Sequence, residues 1–153
     1  MNYEVPGVGE IEIKVIVLDL NGTLSVNGQV PDGVKQRLDK LNELGIEIVL
    51  FTGDQRGTAQ DLCDDLGISF VRCKSLEEKE KAMGNYDSET TAAIGNARID
   101  IGTFKKAKVS VATLQAEGIH AGILEHVDVV VPTINDALDF FIDTNTFAAT
   151  MRM

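Results

Sequence analysis

The 153-residue sequence contains no tryptophan, and aromatic residues make up only 5% of it. A platform of rings for stacking bases is therefore not expected. Basic residues are scarce: 14 Lys and Arg stand against 24 Asp and Glu, a formal net charge of −10. That balance excludes a nucleic-acid binder that works by neutralising phosphates, and a polybasic membrane-surface protein. A small anionic substrate would need a locally electropositive site or a bound cation. Cysteine is nearly absent. Cys63 and Cys73 form neither a disulfide framework nor a metal-ligand spacing, and read as reduced, buried thiols of a cytoplasmic protein. His120 and His126 lack any metal-motif spacing and are taken as non-catalytic. The longest apolar runs, such as Val15-Ile16-Val17-Leu18, fall far short of a membrane span. Met1-Asn2-Tyr3-Glu4 lacks the charged and apolar regions of a signal peptide. With only three prolines and no biased tract, no linker divides the chain, so residues 1–153 are expected to form one domain.

What is present is an alternation of short β-branched runs with helical patterns, the mark of parallel βαβ units. Glu12–Asp19 reads as a first strand, apolar on both faces over Val15–Leu18, as a central buried strand requires. Pro31–Leu44 reads as a helix, with Pro31 in its first turn, Val34, Leu38 and Leu41 on one face, and Gly45 at C′. Strand Ile46–Phe51 follows, then a helix carrying Ala59, Leu62 and Leu66, and strand Ile68–Val71. Beyond these come helix Leu76–Met83, strand Thr91–Ile94, helix Ile99–Ala107, strands Val109–Ala112 and Val127–Val131, and helix Asn135–Ile142. Residues 1–13 suggest a small antiparallel hairpin, turning at Pro6-Gly7. Residues 24–30 suggest a flap, because Asn27-Gly28 between Val26 and Val30 is a type I′ signal. Residues 144–153 suggest a tail helix with Phe147, Met151 and Met153.

Open parallel sheets bind ligands beyond the carboxyl ends of their strands. Three segments fall there: Asp19-Leu20-Asn21-Gly22-Thr23-Leu24, Thr52-Gly53-Asp54, and Gly95-Asn96-Ala97-Arg98-Ile99-Asp100. A carboxylate held at Asp19 can attack phosphorus and form an aspartyl-phosphate. Gly22 lets the backbone come close, so that neighbouring N–H groups can face phosphoryl oxygens. Thr52 can donate its hydroxyl to the same group, with Gly53 keeping the approach open. Lys79, or in second place Lys81, can neutralise nucleophile and phosphate together. Asp100 can hold Mg²⁺, which takes few carboxylates and completes its shell with water and phosphate oxygen. Each residue also has a plainer reading: Asp19 as a turn cap, Asn21-Gly22 as a turn dipeptide, Lys79 on the solvated face of a Glu-Glu-Lys-Glu-Lys run, Asp100 on the surface.

Taken together, Asp19–Leu24, Thr52–Asp54, Lys79 and Gly95-Asn96…Asp100 resemble the four motifs of the haloacid dehalogenase-like (HAD) hydrolase superfamily over residues 12–142. Within it, Thr52–Asp54 and the stretch Ile94–Ala112 are similar to the phosphorylation domain of P-type ATPases. The resemblance implies a three-layer, Rossmann-like parallel sheet with helices on both faces. It implies Mg²⁺ dependence, with Asp19 as nucleophile, Thr52, Gly53 and Lys79 at the phosphoryl group, and Asp19, Asn96 and Asp100 at the metal. Two positions depart from the family pattern. Asn21 stands where phosphatases carry a second Asp as acid/base, and an amide cannot exchange a proton. Asn96 stands where the last motif has its first Asp. Slow turnover and weak metal affinity are the expectations. No segment is long enough for a cap or for a nucleotide-binding domain, so the site should be open. An open site suits a bulky or macromolecular phosphorylated substrate, and the apolar tail at Phe147–Met153 suits self-association. The competing class is a regulatory module that keeps a phosphate or metal site without turnover; a receiver-type signalling domain fits Asp19-Leu20-Asn21-Gly22-Thr23 less well.

Overall fold

The computed structural model describes residues 1–53 and 57–153. A six-stranded parallel sheet organises the chain: β3 (Val15–Asp19), β4 (Glu47–Thr52), β5 (Ser69–Arg72), β6 (Thr91–Gly95), β7 (Val109–Thr113) and β8 (Val129–Val131), in the order β5-β4-β3-β6-β7-β8. The chain leaves β3 toward β4 on one side and later returns to β6 on the other. The order therefore reverses beside β3, and a crevice opens at that point.

Alternation along β3 explains its continuous apolar run. Ile16 and Leu18 enter one core with Val34, Leu38 and Leu41 of helix α1 (Val34–Glu43), and with Ala137, Leu138 and Phe141 of helix α5 (Ile134–Ile142). Val17 faces the opposite way, against Ala82 and Met83 of helix α3 (Leu76–Met83). Helix α2 (Thr58–Leu66) packs Cys63 and Leu66 into the first core, and α4 (Ile101–Phe104) places Phe104 against Ala93 on the other face. The three-layer architecture inferred from the sequence is what forms. Between β3 and β4 the chain makes only a small flap and α1, with no cap inserted. In the flap, Val26 and Gln29 exchange backbone hydrogen bonds of 2.8 and 3.1 Å around Asn27 (φ 52°) and Gly28 (φ 80°). Both positive angles are those of the predicted turn. Among the described residues no helix is long and apolar enough to cross a membrane.

Several boundaries differ from the sequence reading. Helix α1 begins three residues after Pro31, because Gly33 adopts a left-handed φ of 89° and caps it. The helix expected over Ile99–Ala107 reduces to a 3₁₀ turn, Arg98–Asp100, and the single turn of α4. The last strand is shortened to Val129–Val131, and a 3₁₀ turn over Ala121–Glu125 precedes it. Strands β1 (Asn2–Val5) and β2 (Gly9–Glu12) form the expected hairpin, with Tyr3 opposite Ile11. Helix α6 (Thr144–Met151) folds back onto β1. Phe147 stacks on Tyr3 with ring centroids 3.8 Å apart, and the Tyr3 hydroxyl donates to the Phe141 carbonyl at 2.6 Å. Phe147 is thus consumed by the chain's own core, which removes the aromatic part of the tail from any surface for self-association.

Candidate active site

Asp19 is the last residue of β3, in register with Phe51 of β4, at the mouth of the crevice. Its carboxylate accepts a hydrogen bond from Lys79 Nζ at 2.8 Å; the same ammonium donates to Asp100 Oδ1 at 2.8 Å. Lys79 reaches there because α3 starts sharply. Ser75 caps it, its Oγ accepting from Glu78 N at 3.1 Å, and the helix then buries Lys79, Ala82 and Met83 on one face. Lys79 is 2% exposed. Lys81 lies on the exposed face, so the structure separates two lysines that the charge run left undecided.

The electrostatics follow from this arrangement. Burial pushes the Asp19 carboxyl up to about 6, the Asp100 charge pushes the same way, and Lys79 opposes both. The Lys79 ammonium is held above its ordinary range, since the two carboxylates outweigh the cost of burial. Two acids and one base form a buried triad with net negative charge, a natural setting for a cation.

Asp100 is buried, and its second oxygen accepts from the backbone amides of Asn96 and Ala97, each at 3.0 Å. The carboxyl packs so tightly beneath Gly95 that a side chain at 95 would collide with it. Asp100 therefore shapes the loop after β6 and fixes Lys79 at once. The Asn96 amide spans that loop and its neighbours: Oδ1 accepts from the Thr23 hydroxyl at 3.3 Å, and Nδ2 donates to the Gly118 carbonyl at 3.1 Å. Arg98, taken as exposed from the sequence, is exposed.

In the turn after Asp19, four amides bond within the turn itself. Gly22 N donates to Ser25 O, Thr23 N to Leu20 O, Leu24 N to Asp19 O and Ser25 N to Leu20 O. These amides close the turn on itself and do not face outward. Glycine is required at 22 for two reasons. Its φ is 77°, and a side chain there would strike the Asn96 amide and crowd the Glu117 carboxylate. Asn21 is exposed and borders a groove of about 400 Å³, with Leu20, Ser25, Gly28, Val30, Thr58 and Leu62. Thr52 is 5% exposed at the end of β4, and Gly53 follows it into solvent; Asp54 lies outside the described residues.

One part of the site went unread in the sequence. The segment after β7 brings Thr113 and Gln115 onto the turn at Gly22–Thr23. It has no periodicity or motif to mark it. Its only signal is its position, directly after a strand at the same sheet edge. Cys63 and Cys73 are free and buried, and burial pushes both thiols up, Cys63 to about 11. His120 is engaged locally, its Nδ1 accepting from Gly122 N.

The residues present suit Mg²⁺. Among the described residues no group of three or more His, Cys, Asp or Glu is gathered around one point. The sequence puts Asp19, Asn96 and Asp100 at a cation; here both Asp100 oxygens are already engaged, Oδ1 by Lys79 and Oδ2 by the Asn96 and Ala97 amides, so Asp19 and Asn96 are the ones that could offer an oxygen to it. That donor set is hard, sparse and completed by water and phosphoryl oxygens, as Mg²⁺ prefers.

No family model matches the sequence. Over 96 residues it is 29% identical to the copper-exporting P-type ATPase of Staphylococcus aureus, an alignment covering 61% of this chain and 12% of the ATPase. Among solved structures it is similar to the cobalt-bound deoxy-D-mannose-octulosonate 8-phosphate phosphatase of Haemophilus influenzae, at 21% identity, 93% and 94% coverage and a TM-score of 0.75. The corresponding phosphatase of Moraxella catarrhalis, in complex with magnesium, phosphate and KDO, matches at 16% identity, 92% and 94% coverage and a TM-score of 0.70. At these identities the likeness is one of fold. The fold is the one shared with these phosphatases and with a putative HAD family hydrolase of Streptomyces avermitilis, with no cap inserted among the described residues.

Proposed function

We propose that this capless HAD fold carries a Mg²⁺-dependent phosphoryl-transfer hydrolase working through an aspartyl-phosphate on Asp19. The observation that supports it most is the triad. A carboxylate at the end of the central strand contacts a buried lysine, which in turn contacts a buried aspartate. A lysine so enclosed is costly to bury and unneeded for a turn cap, whereas a phosphoryl-transfer site needs positive charge at that point. The phosphatases of like fold and the P-type ATPase of like sequence add support.

In this reading an Asp19 oxygen attacks phosphorus and the bond to the leaving oxygen breaks. Lys79 balances the charge of nucleophile and phosphoryl group. The Thr52 hydroxyl donates to a phosphoryl oxygen, with Gly53 leaving the approach free. The leaving group lies in the open groove beside Asn21, where there is room for a bulky phosphorylated molecule. Mg²⁺, when bound by Asp19 and Asn96, would draw charge off the phosphoryl oxygens. Asn21 neither protonates the leaving group nor activates water. Loss of a positioned acid/base slows a step by about 10²–10⁴, so the phosphoenzyme persists and good leaving groups are favoured. Two buried cysteines that form no disulfide framework fit a reducing compartment, and a cytoplasmic location is part of the proposal.

The test is hydrolysis of p-nitrophenyl phosphate with Mg²⁺ and with EDTA, in wild type, Asp19→Asn and Asn21→Asp. Activity that requires Mg²⁺, vanishes in Asp19→Asn and rises in Asn21→Asp supports the proposal. Absence of turnover in all three, with no beryllium fluoride bound at Asp19, favours a regulatory module instead.

A further inference from the structure

Gln115 has a left-handed backbone, φ 42°, which few residues other than glycine adopt without cost. The loop's backbone is tied on each side of it: Leu114 N donates to Val131 O at 2.9 Å, Gln115 N to Pro132 O at 2.7 Å, and Gly118 N to Leu114 O at 2.8 Å. Glycine would make every one of those bonds with less strain. What glycine lacks is the side-chain amide.

That amide grips the turn behind the nucleophile. Gln115 Nε2 donates to Gly22 O at 3.2 Å and to Thr23 O at 2.6 Å. Only the nitrogen end of the amide can serve two carbonyls, so the partners fix its orientation. The buried Thr113 hydroxyl donates to the same Gly22 carbonyl at 3.3 Å. The next residues complete a ring of contacts. Thr23 donates to Asn96, and Asn96 donates to Gly118, in the loop that Gln115 begins. One short segment thus holds both the turn after Asp19 and the amide proposed to face the cation.

We propose that Gln115 is a positioning residue for phosphoryl transfer: its amide clamps the Gly22 and Thr23 carbonyls and so sets the direction in which Asp19 is presented. The proposal rests on the reading of Asp19 as nucleophile. Gln115 touches no reacting group and works through the turn alone.

Three variants separate the clamp from the backbone. Gln115→Gly relieves the φ and removes the amide, Gln115→Ala removes the amide only, and Gln115→Glu keeps the shape but sets carboxylate oxygens against two carbonyls. Turnover of p-nitrophenyl phosphate should fall about 10- to 100-fold, as small misplacements of reacting groups do. KM should change little, and Gln115→Glu should fall furthest. Amide hydrogen exchange should quicken at Thr23, Leu24 and Ser25 and stay unchanged at Ile16–Leu18. Unchanged kcat and unchanged exchange in Gln115→Gly overturn the proposal, as does a loss confined to melting temperature. If wild type and Asp19→Asn are equally inactive, the function reading fails, and the exchange rates alone decide whether Gln115 holds the turn.

Discussion

Replacing Lys79 by methionine removes the ammonium and keeps most of its stem. Two carboxylates are then left facing one another in a nearly closed site, where the side chains of Asp19 and Asp100 are only 13% and 3% exposed. At an effective dielectric of about 20, each 2.8 Å contact is worth about 6 kcal/mol before desolvation is counted. The lysine's own burial offsets much of that, and removing one partner of a buried pair costs about 3–5 kcal/mol in practice. For a chain of this size, about 2–4 °C per kcal/mol turns this into a fall in Tm of about 6–20 °C. The loss should depend on pH in one direction. Asp19 already binds its proton more tightly folded than unfolded, its carboxyl having been pushed up to about 6 by burial and Asp100. Without Lys79 only the hydrogen bond from the Leu20 backbone opposes that rise. A group raised on folding stabilises at low pH and loses that contribution as pH climbs through its folded value. The deficit should therefore be wide at pH 7.5 and narrow at pH 5, and adding Asp19→Asn to the variant should recover part of it. Circular dichroism melts at the two pH values measure this. A fall of equal size at both, or no fall at pH 7.5, refutes the buried triad as the source of the energetics.

Two further substitutions probe the neighbouring loop. Gly22→Ala should destabilise by about 1–3 kcal/mol in urea titration, the usual cost of a side chain in left-handed backbone, and it should displace the Asn96 amide; a change within experimental error would contradict the close approach. Asn96→Asp should tighten Mg²⁺ binding measured calorimetrically, by adding charge beside Asp19. It should also lose about 1 kcal/mol of stability with the bond from Nδ2 to Gly118. Unchanged Mg²⁺ affinity would remove Asn96 from the cation site.

The parallel sheet was legible because Val15–Leu18 is apolar on both faces, which only a central strand between two layers of helix requires. Asp19 was legible for the same reason, since a charge can follow such a strand only where the sheet ends. Lys79 and Lys81 were not distinguishable from spacing within a run of acids and lysines. The choice is made by Ala82 and Met83, three and four residues on, which turn Lys79 inward. The start of α1 was misread because Pro31 suits a first turn, yet the left-handed Gly33 intervenes. The Ile99–Ala107 helix failed because Asp100 spends its carboxyl on the amides of Asn96 and Ala97, drawing the chain into a tighter turn. Gln115 was invisible because nothing in its local sequence encodes the two carbonyls it meets, 92 and 93 residues earlier.

The clasp between β1 and the last two helices has a consequence for the chain as a mechanical object. Tyr3 bonds to Phe141 across 138 residues and stacks on Phe147, while Met153 N donates to Pro6 O at 3.0 Å. These contacts close residues 3–153 into a non-covalent ring. A single cut in the exposed flap at Asn27-Gly28 would then open the ring without releasing either piece. The segment bearing the nucleophile would stay joined to the rest by the sheet on one side and by the clasp on the other. A protein nicked there, or expressed as two complementary fragments, should still assemble its site, because residues 141–153 secure residues 3–6.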